Sequence, residues 1–97
     1  MPIFLMFGNY TTETVKGISS ERTEKVVNII KQNGGEVRSM YAVLGEHDLV
    51  FIVDFPDIEK VMAASLAIRE LTGISFKSSP LVEVEKFDRL VGKVKDI

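Results

Sequence analysis

The chain has 97 residues, no cysteine, one histidine and a formal net charge of −2. With 45% hydrophobic and 27% charged residues it is a globular sequence with material for one core, which excludes disorder as its main state; its charge balance argues against a nucleic-acid-binding face. The missing cysteines exclude thiol catalysis, iron–sulfur ligation and cysteine zinc sites, and a lone histidine excludes a multi-histidine metal centre within one chain, so no metal and no cofactor are expected.

No linker, repeat or low-complexity run divides the sequence, and one domain over residues 1–97 is expected. Met1–Phe7 is apolar but lacks a basic leader and a small-residue cleavage site, and no stretch approaches the ~20 apolar residues that span a bilayer. These features predict a cytoplasmic protein without membrane contact.

Residues 3–10 (IFLMFGNY) are short and aromatic-rich behind a proline, and read as a strand. Thr11–Ser19 is polar and reads as a connecting loop. Ser19 or Ser20 caps a helix with Glu21 and Glu24 in its first turn; Val26, Val27, Ile29 and Ile30 form its buried stripe, and Asn33-Gly34-Gly35 ends it. Residues 36–44 and 47–55 are two strands around Gly45-Glu46, a pair suited to a tight hairpin. Pro56-Asp57 starts a second helix that runs to about Thr72, with Ile58, Val61, Ser65, Ile68 and Leu71 on one face and Gly73 as its stop. Residues 74–84 return as a strand in which Pro80 marks an edge or a break. Phe87, Leu90, Val91 and Val94 fall at i, i+3, i+4 and i+7 of a short C-terminal amphipathic helix.

The order β-α-β-β-α-β with a tail helix is the ferredoxin-like α+β pattern, with the first and third strands central in a four-stranded antiparallel sheet and two helices on one face. On the second strand, Val37, Tyr41 and Val43 are expected on one side and Met40, Ala42 and Leu44 on the other. Two helices cover one face only, yet the other face also looks apolar at Met6, Val50 and Ile52 or their alternates. Either two subunits pack sheet to sheet as a homodimer, or the C-terminal helix covers the spare face.

Gly8-Asn9-Tyr10-Thr11, Ser20-Glu21-Arg22, Leu44-Gly45-Glu46-His47-Asp48 and Phe55-Pro56-Asp57 together resemble the GYD domain family, in order and over about residues 2–88. The resemblance implies a dimeric α+β barrel and, because wider relatives include cofactor-independent monooxygenases, haem-degrading enzymes, isomerases and ligand-sensing domains, selects no reaction. The family typically has a tyrosine where this chain has His47.

His47-Asp48 is an adjacent histidine–carboxylate pair, which makes His47 the candidate general base, although neighbours in a strand point to opposite faces. The alternative is a hairpin in which Asp48 bonds turn amides. Asn9 and Tyr10, where the first strand ends, and Tyr41 could reach a cavity between sheet and helices; a buried phenol also serves simply as a core residue with a polar handle. Arg22 opposes the dipole in the first turn of its helix, and either pairs with Glu21, Glu24 or Asp48 or binds an anionic ligand. Arg38 and Lys77 fit a solvated strand face; Met6, Met40 and Met62 fit core filler; Gly34-Gly35 follows a helix and so is no phosphate loop.

Three functions fit. The first is a homo-oligomeric small-molecule-binding or accessory domain whose ligand-binding residues come from Asn9, Tyr10, Arg22, Tyr41, His47 and Asp48. The second is a cofactor-independent oxygenase or isomerase in which His47 takes a proton and Tyr10 or Asn9 stabilises the anion. The third is a structural subunit that interacts through its sheet and C-terminal helix. A pocket reaching His47 favours the enzyme; an apolar pocket without a titratable wall favours binding.

Overall fold

Alternation along β1 (Ile3–Asn9) sets the layout: Phe4, Met6 and Gly8 are buried, and Ile3, Leu5 and Phe7 half-buried. In the computed structural model, which describes residues 1–96, β1 pairs antiparallel with β3 (Leu49–Asp54) on one side and β4 (Ser75–Leu81) on the other. β2 (Glu36–Ala42) adds to β3, giving the sheet order β2-β3-β1-β4. This is the expected ferredoxin-like arrangement, with β1 and β3 central and Pro80 on an edge strand. Ile97, the last residue of the expected 1–97 domain, lies outside the described residues.

Helices α2 (Ser20–Gln32) and α3 (Ile58–Thr72) lie on one face. Their starts follow the cap rules: Ser19 Oγ accepts the Arg22 N–H at 3.0 Å, and Asp57 Oδ1 accepts the Lys60 N–H at 2.9 Å. Gly73 ends α3 at φ 80°, a left-handed conformation that costs glycine little. Val26 and Ile30 from α2 and Val61, Ala64 and Ile68 from α3 close over Phe4, Met6, Phe51, Val53 and Phe55. Phe4 and Phe55 meet edge to face at 6.4 Å.

Several local expectations need correction. Residues 11–19 contain a one-turn helix, α1 (Thr12–Val15), held by a reciprocal box: Thr11 Oγ1 accepts the Thr14 N–H and Thr14 Oγ1 accepts the Thr11 N–H. The β2–β3 connection is longer than Gly45-Glu46; residues 43–48 bridge the strands, and the Val43 N–H donates to the Asp48 carbonyl at 2.8 Å. The β2–β3 register slips between Val37 and Ser39, so Val37 faces the helices together with Met40 rather than with Tyr41. An inserted residue inverts the alternation on its far side, a switch that period-two reading misses. Met6 is fully buried on the helix side, opposite Phe51, so the open face is made by Ile3, Leu5, Phe7, Val50 and Ile52. Ile58 and Leu71 are exposed, and α3 turns Val61, Ala64 and Ile68 inward.

The last helix, α4 (Val84–Lys95), buries none of its residues. Phe87, Leu90 and Val94 stay 56–61% exposed, so α4 does not cover the open face of its own sheet. The chain measures 53 × 30 × 18 Å with a radius of gyration of 15.3 Å, against about 12.5 Å for a compact domain of this length.

Candidate functional site

A cavity of about 130 Å³ opens between α2 and the sheet, at the end where β1 leaves it. Met40, Leu49, Phe51 and Phe76 make an apolar floor, Val26 and Ile74 form walls, and Tyr10, Arg22, Thr23 and Tyr41 line the remainder. The rings of Phe51 and Phe76 meet at a tilt of 41° with centroids 5.0 Å apart. Phe76 reaches this position because Gly8 has no side chain; a Cβ there would lie 2.7 Å from Phe76 Cε1. A lone glycine inside the strand, between Phe7 and Asn9, was the available signal for that close approach.

Arg22 departs from the ion-pair expectation. Among the described residues its guanidinium has no carboxylate partner within 4.0 Å, whereas Lys16, Lys25 and Arg38 each have one. Instead Nη1 donates to the Thr14 carbonyl at 2.6 Å, and Cζ sits 5.6 Å from the centre of the Tyr10 ring. Gly17 leaves room for this path, since a Cβ there would meet Nη1 at 2.8 Å. Thr14 and Gly17 thus position Arg22, roles that the sequence hides in a loop. One arm of the guanidinium is fixed by the protein, and its other N–H donors are uncommitted.

Asp48 holds the neighbouring aromatic. Its Oδ2 accepts the Tyr10 N–H at 2.7 Å, and its own N–H donates to the Gly8 carbonyl at 2.9 Å. This clamp joins the end of β1 to the approach to β3 and sets the place from which Tyr10 faces Arg22. Asp48 therefore bonds an amide across the sheet rather than turn amides of its own hairpin.

His47 and Asn9 lie elsewhere. Their side chains meet at 3.1 Å, Nδ1 to Oδ1, and the imidazole stacks on Phe7 at 4.4 Å, an open-face residue. Neither lines the cavity, and its lining contains no imidazole or carboxylate. The structure therefore brings Tyr10 and Arg22 to one site, leaves Tyr41 exposed at its rim in register with open-face Val50, gives Asp48 a supporting position, and places Asn9 with His47 at a second location. Among the described residues, no three His, Asp or Glu side chains converge as a metal site. Among the described residues, no helix is long and apolar enough to cross a membrane.

Arg38 forms a separate pair on the sheet. Its Nε donates to Asp54 Oδ2 at 2.7 Å, and that hydrogen bond with the Asp54 charge raises the guanidinium pKa above its already high ordinary value. Asp54 is buried, and its second oxygen, Oδ1, has no hydrogen-bond partner among the described residues.

The strand order, the two-helix layer and the cavity beneath α2 define a ferredoxin-like α+β protein. More narrowly, the chain belongs to the GYD domain family, whose model matches residues 4–91. No curated protein matches it. Among solved structures it is similar to the leucine response regulatory protein LrpA of Mycobacterium tuberculosis, with a TM-score of 0.56 and 15% sequence identity. That similarity covers 84% of this chain and 51% of LrpA, so this chain spans about half of that protein, and what they share is the fold.

Proposed function

We propose that the protein is a cytoplasmic, homodimeric small-molecule-binding domain whose ligand is a small apolar acid. The observation that carries this reading is a guanidinium with one arm fixed on the Thr14 carbonyl and no carboxylate partner among the described residues, beside a cavity with an apolar floor. A cavity of about 130 Å³ is close to the ~150 Å³ void that holds one benzene ring. The ligand's apolar part, one ring or a short branched chain, would lie over Phe51 and Phe76, and its carboxylate would meet the free donors of Arg22 beside Tyr10. Binding rather than catalysis is favoured because no base reaches the cavity, His47 being stacked on Phe7 instead.

The homodimer is supported by the open face. Ile3, Leu5, Phe7, Val50 and Ile52 form an apolar surface that no element of the chain covers, and the orphaned Asp54 Oδ1 borders it opposite Ile3. A donor from a second copy would satisfy that oxygen. Light scattering should give twice the 10.8 kDa chain mass; a soluble monomer at micromolar concentration would refute the assembly.

The ligand class is tested by titrating benzoate and benzamide against the protein, following amide NMR shifts around Tyr10 and Val26. Benzoate should bind more tightly, and Arg22→Gln should weaken it about tenfold or more, the scale of a charge-assisted hydrogen bond. Equal binding of the two probes, or no response at Tyr10 and Val26, would overturn the reading.

A further inference from the structure

The outer side of α3 carries a second apolar surface that the core does not use. Ile58, Met62 and Leu66 recur at i, i+4 and i+8 and remain 59–63% exposed. With Phe4, Phe76 and Pro80 they line a groove of about 280 Å³ between α3 and the edge strand β4. The helix stripe is about 12 Å long at 1.5 Å per residue. On α4 a matching stripe, Val84, Phe87, Leu90, Val91 and Val94, runs about 15 Å. One chain thus presents an unfilled groove and an amphipathic helix with no buried residue, with apolar stripes of about 12 and 15 Å.

We infer that α4 is an exchanged arm: in the homodimer proposed above, on which this inference rests, α4 of each protomer seats in the α3–β4 groove of the other. Area selects a second copy as the occupant. An open face of four strands and seven residues projects roughly 450 Å² from strand spacing and rise, about half of the ~800 Å² per partner that a stable specific interface buries. Donating one helix face and receiving another adds roughly 150 Å² each, from a helix about 10 Å wide, and brings each protomer close to that requirement. Reciprocal exchange closes the assembly at two chains, as an isologous contact does. It also covers β4, whose outer edge is otherwise an unpaired template for aggregation.

The absence of native cysteine makes the test direct. Met62→Cys, at the centre of the groove, and Leu90→Cys, at the centre of the α4 stripe, both replace exposed residues and leave the core intact. The 97-residue double variant, treated with a short bismaleimide and run under denaturing conditions, should appear as a covalent dimer, while either single variant stays a monomer. An internally linked monomer would place α4 in its own groove and overturn the exchange. A ladder beyond the dimer would overturn its closure. No cross-link in a sample that scatters as a dimer would overturn the arm while leaving the sheet dimer standing, and a monomer by light scattering would remove both. In the 97-residue chain, Phe87→Asp should raise the dimer dissociation constant at least tenfold with unchanged circular dichroism; an unchanged constant would also count against the arm.

Discussion

The two faces of the sheet are built from the same residues in alternation, yet they end in opposite states. Phe4, Met6, Phe51 and Val53 point to the helices and are almost wholly buried. Their neighbours Ile3, Leu5, Val50 and Ile52 are also apolar and remain half-buried, because α2 and α3 both lie on the other side. Apolarity alone therefore does not distinguish a core from an interface. The side on which the crossover helices fall decides, and that is a property of topology rather than of any one strand.

The largest test of this contrast is on the covered side. Phe55 is fully buried and packs against Phe4 and Gly35. Phe55→Ala should lower unfolding free energy by about 3–5 kcal/mol, the range for an aromatic cavity, measured by urea denaturation at fixed protein concentration. A loss under about 1 kcal/mol would mean that the covered face is not the core that its burial implies.

The open face should respond differently. Ile52→Asp places a charge where a partner is proposed, so the dimer dissociation constant should rise about a hundredfold, the scale of a buried unpaired charge. The same substitution should leave the single chain's fold intact, because Ile52 is already half-exposed. Light scattering over a dilution series, with circular dichroism on the same samples, separates the two effects. Unfolding together with dissociation would erase the distinction between the faces.

Much of this contrast was legible in the sequence. The aromatic-rich run of β1, the apolar run of β3, a cap at Ser19 or Ser20, the helix start at Pro56-Asp57 and the stop at Gly73 are local signals, and each led to the element observed. Which alternate residues face inward was harder to read, since Met6 goes inward only through its pairing with Phe51, and Val37 only through the slip beside Arg38. At the site, Tyr10, Arg22 and Tyr41 were recognisable as candidates because polar or cationic residues at strand and helix ends need a reason to be there. That Asp48 clamps Tyr10, while Gly17 and Thr14 steer Arg22, depends on approaches between residues distant in sequence or hidden in a loop. The periodicity of α4 announced a helix, but nothing in it announced that the helix would stand clear of its own sheet.

The finest probe of the comparison is His47, the chain's one imidazole, whose ring resonances need no assignment. It stacks on Phe7 at an interplanar angle of 26° with its Nδ1 beside Asn9, so its shifts carry the ring current of an open-face aromatic. The cavity lies on the other side of the sheet and does not include His47. Dilution through the dimer transition should therefore move the His47 ring resonances, while benzoate added at constant protein concentration should move Tyr10 and leave His47 in place. His47→Ala should correspondingly leave benzoate affinity unchanged within about twofold, since exposed changes away from a site usually stay within about 0.5 kcal/mol. If benzoate moves His47 as strongly as Tyr10, the two faces communicate through β1, and the separation of binding from assembly fails at the strand they share.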